Sequence, residues 1–169
     1  MKTALMTIFF LTSFWINPDQ EMITLEKSDY TISYPKTWQI DQSDRLTEFY
    51  LFSKLEDQND HFSENMNLIT QNLIGMNINL DQYTEISINQ IKKFFNDKIL
   101  KVEKHKNKAG QEYYEVIYTG KQEGTSLTFM QYNFLKNGKA YVLTFTAETD
   151  KFDAYKDVVY KTFNSFRIK

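Results

Sequence analysis

The chain has no cysteine, only two prolines and only five glycines among 169 residues. Without cysteine there are no disulfides, no thiolate nucleophile, no cysteine-ligated zinc or iron–sulfur centre, and no residue to acylate as a lipoprotein anchor. So few glycines and prolines exclude collagen-like and low-complexity architectures. Charge of one sign is also missing. Twenty Lys and Arg face 22 Asp and Glu, a net charge of −2, so there is no bulk electrostatic case for nucleic acid or for an anionic membrane surface. No G-x-S-x-G surrounds any serine, and the two histidines, His61 and His105, stand far apart in the sequence. No catalytic motif emerges, and no cofactor is expected.

What is present begins at the amino terminus. Lys2 precedes an apolar run from Ala4 to Ile16, followed by Asn17-Pro18-Asp19. The run falls short of the ~20 apolar residues of a membrane span and has the length of a secretory h-region. Residues 1–18 are therefore expected to be a signal peptide, and residues 19–169 an exported, periplasmic or extracellular domain without a transmembrane span. The cleavage site is imperfect. No Ala-x-Ala precedes the proline, Thr12 and Ser13 sit before bulky Phe14 and Trp15, and Thr7 interrupts the run. An uncleaved tether or a buried N-terminal helix stays open.

About 150 mature residues make one domain, burying roughly 70% of the surface of the unfolded chain. Fourteen Phe and 11 Tyr supply large buried areas. Alternating apolar residues predict strands over 22–26, 30–34, 48–55 and 65–73, with Pro35 closing the second. A helix is expected from about Asp81, which can cap it. Its apolar stripe is Tyr83, Ile86, Ile91, Phe94 and Phe95, with Ile88 at the edge. Strands follow over 99–106 and 111–119, then a turn through Gly120–Gly124, then strands over 125–135 and 140–146 around an Asn137-Gly138 hairpin signal. Thr149 or Asp150 can cap a second helix, whose buried face is Phe152, Tyr155, Val159 and Phe163. Hairpin-linked strands plus two one-sided helices predict an α+β fold. Strands apolar on both faces, at 113–118 and 127–134, predict a central antiparallel sheet flanked by helices, an α/β/α sandwich.

The segment from Tyr30 to Trp38, YTISYPKTW, resembles the opening strand of the PsbP-like fold family, in which an aromatic strand ending in Pro precedes a Trp. Several further features look like bacterial, DcrB-like members. They are Asp60–Asn67 followed by Leu80–Tyr83, Gly110 before Tyr113–Tyr118, the Asn137-Gly138 hairpin with Leu143–Ala147, and the closing Asn164–Phe166. The resemblance spans Met22 to Ile168 and implies the PsbP-like sandwich. It also implies binding rather than catalysis. Similar folds include a photosystem II extrinsic protein, a Ran-binding nuclear import factor, bacterial envelope proteins, and chaperones for the membrane-inserting segments of secreted toxins. No functional residue is carried over, because a shared fold does not transfer function.

Two clusters are candidate sites. Asp57, Asp60, His61 and Glu64 place four ligand-type side chains within one loop, as a calcium ion or zinc would need. They equally read as a solvated acidic loop. Lys98, Lys101, Lys104, Lys106 and Lys108 gather on one strand and turn. Lys104, Lys106 and Lys108 are expected to project from one face toward an acidic partner, or to guard an edge strand against aggregation. Tyr113 and Tyr132 join Lys101–Lys108 as partner-binding candidates, since Tyr is favoured at interfaces, though a core role fits them too. The expected function is a non-enzymatic accessory protein, monomer or weak dimer, that contacts an envelope protein through a sheet edge or Tyr-rich groove. The alternatives are a chaperone or immunity-type protein for a secreted client, and a metal-dependent hydrolase built on the Asp57–Glu64 loop.

Overall fold

The computed structural model describes residues 21–95 and 98–169, with all their side chains except those of Phe94 and Phe95. The apolar segment Ala4–Ile16, with its cleavage reading, lies outside the described residues.

Ten strands and two helices follow one another in the order β1 (Met22–Glu26), β2 (Tyr30–Pro35), β3 (Gln39–Asp41), β4 (Phe49–Phe52), β5 (Asn65–Asn72), α1 (Leu80–Phe95), β6 (Ile99–Lys106), β7 (Glu112–Gln122), β8 (Thr125–Lys136), β9 (Lys139–Glu148), α2 (Phe152–Phe163) and β10 (Arg167–Ile168). Every pairing is antiparallel. The strands form two sheets, where the sequence led us to expect one central sheet. Seven strands run in the order β3-β4-β5-β9-β8-β7-β6, and three in the order β1-β2-β10. The chain is thus an α+β fold dominated by antiparallel sheet.

Alternation along β7 and β8 sorts their side chains between two apolar clusters. Tyr113, Ile117, Met130, Tyr132 and Phe134 join β2 and the buried face of α2. Val116, Tyr118, Leu127 and Phe129 join Ile91 of α1 on the opposite face. That explains why these strands read as apolar on both sides. The expected stripe of α2 is buried as read, with Val158 and Thr162 added.

The helix caps differ from expectation. Asn79, not Asp81, closes the start of α1. Its Oδ1 accepts the Gln82 N–H at 2.9 Å, and the Asn79 N–H donates to Gln82 Oε1 at 2.9 Å, a reciprocal capping box. Asp81 is engaged elsewhere, accepting from Lys104 Nζ at 2.8 Å and from the Tyr114 hydroxyl at 2.9 Å. Neither Thr149 nor Asp150 caps α2. Lys151 occupies that position with no side-chain cap, and the Thr149 hydroxyl instead pairs with that of Thr128. The turn between β7 and β8 is shorter than the expected 120–124 span. Gly120 stays in the strand opposite Leu127, and Glu123 and Gly124 turn the chain with φ of 51° and 90°. Asn137 and Gly138, at 53° and 70°, form the matching left-handed pair between β8 and β9.

Candidate functional site

Three places concentrate chemistry: the Asp57–Glu64 loop, the β6 edge, and the surface beside α1.

In the loop, Asp57 Oδ1 accepts the N–H groups of Asn59 and Asp60 at 2.7 and 3.2 Å. Asp60 accepts from the Glu56 N–H at 2.8 Å and the Phe62 N–H at 3.2 Å, and pairs with Lys151 Nζ at 3.1 Å. Burial opposes ionisation of Asp60, but these N–H groups and the ammonium still hold its carboxyl below the usual range. Lys151 also reaches Glu148 at 3.3 Å and Glu56 at 3.6 Å. Glu64 is fully buried. Its Oε2 accepts from the Ser53 hydroxyl at 3.3 Å, its Oε1 has no partner, and burial pushes its carboxyl upward. His61 is exposed, so it does not share the buried environment of Glu64. Asp57 and Asp60 are thus engaged by backbone N–H groups, and Asp60 and Glu56 by Lys151, while Glu64 accepts from the Ser53 hydroxyl. Among the described residues, the one set of three or more His, Asp or Glu with converging ligand atoms lies elsewhere, at Glu103, His105 and Glu115.

At the β6 edge the lysines divide by strand parity. Lys101 lies on the α2 side with Glu103 and His105, and Lys104 and Lys106 point the other way. Lys104 pairs with Asp81 at 2.8 Å and Glu112 at 3.5 Å. Lys106 and Lys108 are exposed. Lys101 Nζ lies 2.8 Å from buried Glu115 and 3.1 Å from Glu103. The hydrogen bond to Glu115 raises its pKa against the opposing effect of burial. The Tyr160 hydroxyl donates to Glu115 Oε1 at 2.7 Å. Burial first and this bond second push Tyr160 up to about 12. Tyr113 and Tyr132 are only 7% and 2% exposed, their rings stacked at 4.4 Å. They are buried side chains of the core, packed against each other.

The third place was missed in the sequence. Between β5 and α1 the segment Leu73–Ile78 carries Ile74 at 75% and Met76 at 62% exposure, and Ile86 of α1 is exposed beside Met76. Leu73, Met76, Ile78, Tyr83 and Ile86 line a crevice of about 190 Å³. Its walls are fixed. The Leu73 N–H donates to Gly138 O at 2.7 Å, and the Tyr83 hydroxyl donates to Gln71 Oε1 at 2.8 Å. A Cβ on Gly138 would stand 3.0 Å from Ile74 Cγ1, so glycine serves both the left-handed turn and this close approach. Apolar residues in an irregular, non-periodic segment were the available signal. A second crevice, about 240 Å³, runs between α1 and the sheet past Ile69, Gln90, Gln131 and Thr144, with no charged side chain in its lining.

No family model matches the sequence, and no curated protein matches it. Solved structures do match. The cyanobacterial PsbP protein CyanoP of Synechocystis superposes with a TM-score of 0.67 at 15% identity, covering 88% of this chain and 92% of its own. LpqN of Mycobacterium tuberculosis, described as involved in cell envelope biogenesis, gives 0.61 at 11% identity over 88% and 91%. The Ran-binding protein Mog1p of Saccharomyces cerevisiae gives 0.59 at 8% identity over 88% and 96%. Such different descriptions on one architecture carry fold and not function. These neighbours support one conclusion: the chain has the PsbP-like fold.

Proposed function

We propose that this protein is a non-enzymatic binding protein of the cell envelope, built as the layered PsbP-like sandwich, which holds a protein partner at the surface beside α1. The observation that carries this reading is the pair of exposed apolar side chains, Met76 and Ile86, lining a formed crevice with Leu73, Ile78 and Tyr83. Apolar side chains exposed together, on walls held by hydrogen bonds, mark an interaction surface. Export is supported by the Lys2–Ile16 pattern and by the envelope role described for LpqN. Among the described residues no helix is long and apolar enough to cross a membrane. An apolar crevice also suits a chaperone's client segment.

The test is cross-linking of the full chain in its own cells, followed by mass spectrometry of its amino terminus and of the linked proteins. The expected result is a trimmed amino terminus and a reproducible envelope partner, lost in Met76→Ser/Ile86→Ser. Links unchanged by this pair of substitutions would remove the crevice from the reading, and an untrimmed cytoplasmic protein would remove export.

A further inference from the structure

Register alone brings an unusual group to the free edge of the seven-stranded sheet. Glu103 of β6 stands directly opposite Glu115 of β7, and His105 lies two residues along the same face. Like charges directly opposite on neighbouring strands repel, so this arrangement calls for a cation between them. The Lys101 ammonium takes that place, 2.8 Å from Glu115 Oε2 and 3.1 Å from Glu103 Oε2.

The imidazole does not fit that explanation. The His105 side chain is 34% exposed, but its Nε2, 3.3 Å from Glu115 Oε2 and 3.4 Å from Glu103 Oε2, is itself buried and makes no hydrogen bond. Its ring is held by stacking on Tyr113 at 5.3 Å. Two donor atoms about 2.05 Å from a tetrahedral zinc ion stand about 3.3 Å apart. Both nitrogen–oxygen separations meet that spacing, and all three ligand atoms lie within 4.8 Å of one another. The support a metal ligand needs is also present. Tyr160 donates to Glu115 Oε1, which orients the carboxylate and leaves Oε2 turned toward His105.

We propose that Glu103, His105 and Glu115 form a zinc site at the sheet edge, and that Lys101 is the resident cation the metal displaces. One imidazole and two carboxylates suit zinc. A divalent ion neutralises both carboxylates, where the ammonium offsets one. Lys101 is 30% exposed on an edge strand, so its side chain can swing into solvent. Three protein ligands leave a fourth position for water or a partner's side chain.

The full chain, without a polyhistidine tag, is titrated calorimetrically with zinc chloride. Wild type is compared with Lys101→Met, His105→Gln, Glu103→Gln and His61→Ala. Wild type takes up one equivalent. Removing the competing ammonium tightens binding by about tenfold or more. His105→Gln weakens it by about a hundredfold, Glu103→Gln weakens it too, and His61→Ala leaves it unchanged. Zinc raises the unfolding midpoint of Lys101→Met by more than that of wild type. Binding untouched by His105→Gln, or lost in His61→Ala, overturns the proposal. Affinity that does not rise in a folded Lys101→Met also overturns it. Should that variant not fold without metal, full zinc binding by Glu103→Gln, whose exposed carboxylate is not needed for packing, is the overturning result.

Discussion

Two lysines organise the charged chemistry of this molecule, and their surroundings differ in one decisive way. Lys151 collects Asp60, Glu148 and Glu56 from the cap position of α2, where the helix dipole disfavours a cation. Three carboxylates offset that cost. Asp60 is further locked by two backbone N–H groups, so it cannot turn toward another ion. Lys101 collects two carboxylates beside an imidazole whose inward nitrogen has no hydrogen bond. The first arrangement is a closed ion cluster that pins a loop to a helix. The second is a cation site with an unspent donor. Acidic residues close in sequence, as in Asp57–Glu64, therefore say less about metal than acidic residues brought together by strand register.

The largest effect expected is from Lys151→Met. It leaves Asp60, 3% exposed, without its cation and should cost about 3 kcal/mol of stability at neutral pH. Urea unfolding measures this, and zinc should restore none of it. Asp60 has a depressed folded pKa, so its contribution is present above the ordinary carboxylate range and lost as pH falls through the depressed value. The gap between wild type and Lys151→Met should accordingly close below about pH 4. Lys101→Met should cost less, about 2 kcal/mol, because Glu115 keeps the Tyr160 hydroxyl and has His105 beside it. Equal losses, or rescue of the Lys151 variant by zinc, would erase the distinction between the two clusters.

The tyrosines that serve the two clusters sharpen the comparison further. Tyr160 donates at 2.7 Å to buried Glu115, whereas Tyr155 donates at 3.2 Å to exposed Glu56. Tyr160→Phe leaves a buried acceptor unsatisfied and should cost about 1 kcal/mol. Tyr155→Phe removes a bond whose acceptor water can replace, and should cost less than about half of that. Thermal unfolding of the two variants side by side tests the order.

How much of this was legible in the sequence follows from the range of each interaction. The β6–β7 hairpin is local. A turn at Asn107–Gly110 sets the strands' register, and that alone puts Glu103 opposite Glu115. The group is thus encoded locally, although the Asp57–Glu64 loop is the denser acidic stretch. The stripe of α2 was readable for the same reason, since its period lies within one element. Asp81 looked like a cap because its competitors were out of sight. Lys104 and Tyr114, 23 and 33 residues away, claim its carboxylate, and Asn79 takes its place. The three-stranded sheet depends on β10 pairing with β2, Arg167 against Thr31, a contact that no local pattern encodes. Tyr113 and Tyr132 look alike as surface or core until register sets Tyr132 opposite Glu115 and stacks it on Tyr113.

The smallest effect expected concerns Glu64, which lies in the acidic loop and feels the Lys151 charge without forming an ion pair with it. Its side chain is fully buried, Oε1 has no partner, and the nearest bond to Oε2 is a 3.3 Å hydroxyl contact. Burial raises its pKa in the folded state. The protonated form is therefore favoured on folding, so this group's contribution is intact below the unfolded value and is lost as pH rises through the folded one. Glu64→Gln keeps the shape and removes the charge. It should leave stability unchanged near pH 4 and raise it by under about 1 kcal/mol at pH 8. Unfolding midpoints across that range read the difference directly. Curves that stay parallel would mean that the favourable effect of the Lys151 charge on ionised Glu64 fully offsets the cost of its burial.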